Sequence, residues 1–265
     1  MTRTVGIEVE GICNLSVAKI ASKLEVETGI EVSTSSWSRS SASLPVWHVT
    51  TDGSIRDSEG NKVGKEIVSP PLPINEKSFK ELKSLLAAAR NKRLFGKNYL
   101  RIDRQCSVHV HISREELDRF DVEKVYHLYA YIEPELNKML PDSRRNNKGR
   151  GGKSYCAPIS DLPFAKAFEK DPEDPEFREL KYYSVQFPFN IPTIEFRVHG
   201  ATTNAKKIWN WVRILNEIMD FAVGLPVTEV WDDELLETCT LNKILSKEMY
   251  EYYLERAQKL SKTKS

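Results

Sequence analysis

Three short segments share one spacing: Glu8 and Glu10; His109 and His111; and Glu195, Arg197 and His199. Each places ionisable side chains two residues apart with apolar residues between them. Successive strand side chains point to opposite faces, so positions i and i+2 share a face. Val5, Ile7 and Val9 then oppose the two glutamates, while Val108, Val110 and Ile112 oppose the two histidines. Ile194, Phe196 and Val198 likewise oppose the Glu-Arg-His row. An ordinary sheet with one wet face accounts for any one of these strands. A merely solvated face, however, mixes Thr, Lys, Ser and Gln. Here nearly every polar slot is Glu, His or Arg, the groups that bind metals, phosphates and protons.

Two carboxylates about 6–7 Å apart, as Glu8 and Glu10 would be, repel by about 2–3 kcal/mol at an effective dielectric of about 20. In open water the repulsion falls below about 1 kcal/mol. The pair is harmless if exposed and needs a cation if enclosed. Asp52 and Glu66 are further oxygen donors, a set that suits Mg²⁺ or Mn²⁺ better than zinc. The competing zinc set, Cys106 with His109 and His111, fails on parity because Cys106 points with Val108 and Val110.

The elements that must position these residues alternate between period two and period 3.6, which predicts a mixed chain. A strand is expected over Val5–Glu10 and a helix over Ser16–Thr28, ended by Gly29. Val46–Ile55 and Lys62–Ser69 read as a hairpin stopped by Pro70-Pro71. Asn75 caps a helix expected to reach about Lys92. The strand Cys106–Ile112 runs into Ser113-Arg-Glu-Glu116, a capping-box pattern. A helix follows over Val122–Leu140, with Pro134 inside it. Strands are expected over Lys181–Phe187 and Thr193–His199, then an amphipathic helix from Asn204 to Val223. The remainder reads as polar helix with a Lys/Ser tail. Hairpins and irregular alternation favour an α+β fold with a mostly antiparallel sheet over a doubly wound parallel one.

Composition bounds the class. The chain has 265 residues, 40% apolar and 29% charged, which is globular. Its 39 basic and 38 acidic side chains leave a net charge of +1, arguing against a protein that coats a polyanion. The run Leu85–Ala89 is far short of the roughly 20 apolar residues of a membrane span. No apolar leader precedes the first strand, and Cys13, Cys106, Cys156 and Cys239 form no CxxC pair. The expectation is a soluble cytoplasmic protein without a membrane partner.

Residues 142–154 form a basic, glycine-containing loop with Arg144, Arg145, Lys148, Arg150 and Lys153. It is either a solvated loop or a flap over a polyanion such as nucleotide phosphates. Gly149-Arg-Gly-Gly-Lys-Ser154 is not a P-loop, because that pattern puts glycine at Asn147. His127 and Cys156 read as packing residues. His48 shares parity with Asp52 and is a minor site candidate.

Six motifs in order resemble the amidoligase family, carboxylate–amine ligases related to glutamate–cysteine ligase and glutamine synthetase. They are Gly6-Ile-Glu-Val-Glu10, Asp52-Gly-Ser-Ile55, Glu66-Ile-Val-Ser-Pro-Pro71, Cys106-Ser-Val-His-Val-His111, Tyr155-Cys-Ala-Pro158 and Thr193-Ile-Glu-Phe-Arg197 through Thr202. The resemblance implies a curved antiparallel sheet of the glutamine synthetase type, helices behind it, and a catalytic domain over 1–225 with a helical extension over 226–265. It implies ATP, Mg²⁺ or Mn²⁺, and a carboxylate activated as an acyl phosphate for attack by an amine. Glu8, Glu10, Glu66, Glu195 and His109 match metal positions. His109, His111, Arg197 and Arg145 match catalytic ones. Arg197, Arg144, Arg145, Lys153 and His199 match groups facing the nucleotide.

Two departures stand out: Ser107 where many members carry Gly, and Gln186 where Asn is expected. The chemistry is coherent, since phosphates need cations and an attacking ammonium needs a base such as His109 or His111. Amino acids, peptide termini, polyamines, cell-wall peptides and modified bases all fit as substrates. A kinase on the same fold is a variant of this reading. A non-catalytic nucleic-acid or ligand-binding domain using the 144–153 loop is the other class. Its Glu-rich strand faces would repel phosphates unless a metal intervened.

Overall fold

A computed structural model describes residues 3–34, 46–145, 156–168, 182–188, 191–226 and 233–262. Lys148, Arg150, Lys153, Tyr155 and the rest of 146–155 lie outside the described residues, as does Lys181. The chain forms two compact units, one of Met1–Ile112 with His199–Trp209 and one of Ser113–Val198 with Asn210–Ser265.

The first unit contains β1 (Thr4–Ile12), α1 (Val17–Thr28), β2 (Val32–Ser33), β3 (Trp47–Arg56), β4 (Lys62–Val68), β5 (Leu72–Pro73), α2 (Glu76–Ala89), α3 (Lys92–Phe95) and all but the last residue of β6 (Ser107–Ser113). Its strands run in the order β2-β3-β4-β1-β6, with β5 also on β1. Only the short β2–β3 pair among them is parallel. The core lies on the apolar face, where Val5, Ile7, Val9, Val108, Val110 and Ile112 are fully enclosed.

Local chemistry sets the boundaries. Ser16 Oγ accepts from Lys19 N to start α1, and Gly29 at φ 70° sends its N–H to Glu25 O at 2.8 Å to end it. Asp57 closes the β3–β4 hairpin by accepting from Glu59 N and Asn61 N. After Pro70-Pro71 the chain rejoins the sheet as β5, too short for its pattern to be visible in sequence. The helix capped by Asn75 ends at Ala89, not Lys92. Asn91 Oδ1 accepts from Arg93 N at 2.9 Å and begins α3 as a separate turn.

The second unit contains α4 (Arg119–Leu136), α5 (Asp142–Arg145), α6 (Phe164–Phe168) and β7 (Val185–Gln186). It also holds most of β8 (Thr193–Gly200) and of α7 (Ala205–Val223), then α8 (Asp233–Glu237), α9 (Leu241–Ile244) and α10 (Lys247–Ser261). The expected capping box does not form: Ser113 stays in β6, a turn closes from Leu117 N to Arg114 O, and Asp118 caps α4 by accepting from Asp121 N at 2.8 Å. The α4 helix ends at Leu136, before the expected Leu140, with Pro134 in its last turn. Residues 142–145, expected in a loop, form the helical turn α5.

Of the strand expected over 181–187, only Val185–Gln186 pairs with β8. Tyr182 O and Ser184 N bond instead to Ala157. Lys124 is buried in this unit and caps α7, donating to Val223 O at 2.7 Å and Leu225 O at 3.3 Å. Among the described residues the expected C-terminal helix is divided into α8, α9 and α10, and Tyr253 of α10 donates to Glu135 Oε1 at 2.6 Å. The fold is mixed α+β with mostly antiparallel pairing. No helix among the described residues is long and apolar enough to cross a membrane.

Candidate functional site

Cross-strand register turns the one-strand parity argument into a surface. Directly paired residues share a face, so the rows can be read across the first unit. One row is His48, Val68, Glu8 and His109; the next is Thr50, Glu66 and Glu10, followed by Ser107. Gly6 and His111 form a third. The sheet thereby gathers on one face residues separated by about a hundred positions in sequence. Val68 is the apolar exception among them.

Within this face, ligand atoms of Glu8, Glu66 and His109 all lie within 4.8 Å of one another. Glu8 is gripped on both oxygens: Oε2 lies 3.0 Å from His109 Nδ1, and Oε1 lies 3.2 Å from His111 Nε2. Burial pushes its carboxyl up, but His111 and His109 outweigh that and hold it well below the usual carboxylate range. Glu10 is held differently. Its Oε2 accepts from Ser107 N at 2.7 Å and from Ser107 Oγ at 2.6 Å. Ser107 Oγ also lies 2.9 Å from His109 Nε2, and Glu10 Oε1 is 3.5 Å from the same nitrogen.

Two carboxylates and an imidazole converging at this spacing make a donor set for a divalent cation with mixed oxygen and nitrogen ligands, such as Mn²⁺ or Mg²⁺. Cys106 does not join them: its Sγ lies 3.5 Å from Asp103 Oδ1, and burial pushes the thiol up to about 12. Asp52 is engaged locally, accepting from Ser54 N and Ser54 Oγ. His48 is buried on the same face, and that burial lowers its pKa below the ordinary imidazole value.

A family model described as "Putative amidoligase enzyme" matches residues 1–219. The chain belongs to the amidoligase family. A search of curated proteins finds no match. The amidoligase assignment makes the chain a ligase-type enzyme at the level the family name carries.

The remaining amidoligase candidates fall as follows. Glu195 and Arg197 lie on one side of β8 in the second unit and pair with each other. Arg197 N also donates to Ser184 O at 2.8 Å. Arg144 is buried in that unit, with Nη1 4.0 Å from Cys156 Sγ, and burial raises the Cys156 thiol despite the arginine. Arg145 closes α5, while Lys153 is outside the described residues. His199, in the first unit, places Nδ1 2.7 Å from Gly200 O. Sequence reasoning passed over Ser107 as a site residue. Its parity with His109 and His111 was the available signal. Thr50 stands opposite Glu66, a placement that depends on register no single strand carries.

Proposed function

We propose that this amidoligase joins a carboxylate to an amine, using ATP and Mg²⁺ or Mn²⁺, on a sheet of the glutamine synthetase type. The convergence of Glu8, Glu66 and His109 within 4.8 Å carries the reading, together with the family match. The carboxylate oxygen attacks the terminal phosphorus and ADP leaves. The amine nitrogen then attacks the acyl carbon, inorganic phosphate leaves, and the amine gives up a proton.

Glu8, Glu66 and His109 would hold the divalent cation. When bound, such an ion neutralises charge on the phosphates. His111 receives the amine's proton in this scheme, its ring held beside the Glu8 carboxylate with Nε2 3.2 Å from Oε1. Arg197, oriented by Glu195, is assigned to phosphate recognition, a task suited to its planar fork of donors. Glu10, Arg144, Arg145, Lys153 and His199 complete the proposed set as supporting groups. The substrates are a small-molecule or peptide carboxylate and amine.

The test is an ADP-release screen of the purified protein with Mg²⁺ against paired carboxylates and amines. ADP should form only when both are present, and the product mass should equal the two substrates less water. A phosphorylated product would instead identify a kinase. Nucleotide turnover absent across the screen, with salt-sensitive binding to nucleic acid, would reverse the assignment.

A further inference from the structure

His109 presents each ring nitrogen to a different partner. Nδ1 faces Glu8 at 3.0 Å, and Nε2 faces Ser107 Oγ at 2.9 Å. Ser107 is itself fixed twice to Glu10 Oε2, through its amide and through its hydroxyl. A hydroxyl has one proton to donate and two lone pairs to accept with. Since Ser107 O–H is given to Glu10 at 2.6 Å, the contact with His109 is completed by Nε2–H donating to Ser107 Oγ. That order of donors leaves the Nδ1 side of the ring to the cluster formed with Glu8 and Glu66, where a bound cation would take the place of the proton that joins Nδ1 to Glu8 without it. Imidazole ligands in metal sites generally donate their second N–H to an oxygen acceptor, which sets both tautomer and ring orientation.

We propose that Ser107 is the positioning residue of the cation site, relaying Glu10 to His109 Nε2 so that Nδ1 faces the ion. This rests on the cation site proposed above. Glu10 then acts through Ser107 and His109 and not as a direct ligand. The relay needs a hydroxyl at 107, so an alanine or glycine there leaves Glu10 and His109 without their bridge. Threonine keeps it.

The experiment titrates the full-length protein with Mn²⁺, followed by electron paramagnetic resonance, for the wild type, Ser107→Ala, Ser107→Thr and Glu10→Gln. Long-range ¹H–¹⁵N spectra of the Mg²⁺-loaded proteins report the His109 tautomer. Ser107→Ala should weaken Mn²⁺ binding by about 10–100-fold, the usual effect of losing an outer-shell partner. The Nε2–H signature of His109 should be lost with it, while Ser107→Thr retains both. Glu10→Gln, which keeps the serine, should weaken Mn²⁺ binding less than Ser107→Ala. Wild-type binding with Ser107→Ala equally tight and the tautomer unchanged would overturn the role of Ser107 alone. Absence of Mn²⁺ binding by the wild type would overturn the cation site itself. If Ser107→Ala does not fold, an Nδ1–H tautomer in the Mg²⁺-loaded wild type is the overturning result.

Discussion

Glu8 on the strand face of the first unit and Glu133 inside the second are both enclosed carboxylates, yet they lie on opposite sides of the ordinary range. Glu133, on α4, is 1% exposed and accepts from Ile159 N at 2.9 Å. Burial pushes it up to about 7, with Ser184 and Ile159 only partly restoring the charge. Glu8 meets the same opposition from burial, but two imidazoles flank it and keep it ionised. Enclosure alone makes a carboxyl that keeps its proton. Enclosure beside cationic or proton-donating partners makes a carboxylate held ready for a cation. Glu133 is thus suited to fixing the turn at Ile159, whose carbonyl Tyr126 also holds at 3.0 Å.

Substitutions at the two glutamates should separate these roles most sharply. Glu8→Gln removes a proposed direct ligand, so cation-dependent ADP formation should fall by more than about 100-fold, beyond what outer-shell losses give. Glu133→Gln should leave turnover within a few fold. Equal losses in a steady-state assay would erase the distinction. Behind the ionic face, Ile7→Ala should cost about 2–5 kcal/mol in a denaturant melt while Mn²⁺ stoichiometry stays unchanged.

The pH dependence has a definite sign. Because the folded Glu133 titrates near 7, above its ordinary 4.5, its contribution is full below 4.5 and is lost as pH rises through 7. The loss is about 3 kcal/mol across that window, and Glu133→Gln should flatten it in thermal melts at matched ionic strength. A wild type that gains stability across the same window relative to the variant would contradict this origin. The smallest effect is expected at the α4 cap. Asp118→Ala should lower stability by about 1 kcal/mol and leave both carboxyl sites functioning.

Strand parity was legible because period two needs no partner: Glu8, Glu10, His109 and His111 could be placed on one side from spacing alone. The α1 boundaries were equally local, set by Ser16 and Gly29. What could not be read was register. Only pairing shows that Glu66 stands opposite Glu10 and that His109 stands opposite Glu8, which is what builds the cluster. Ser107 was noticed as a departure from glycine but not as a bridge, since its partner Glu10 lies 97 residues away. At Ser113 a local pattern misled: the serine remained in β6, and Asp118 capped the helix instead. Glu133 carried no sequence signal, because burial and not its spacing sets its behaviour.

The central claim is that Glu8, Glu66 and His109 together hold a divalent cation. Mn²⁺ titration of the wild type beside Glu66→Gln tests it most directly, because Glu66 lies on a strand of its own within the cluster. The wild type should show saturable binding that Glu66→Gln weakens by more than about 10-fold with its fold intact. Wild-type protein without saturable binding, or a folded Glu66→Gln that binds as tightly as the wild type, would contradict the account.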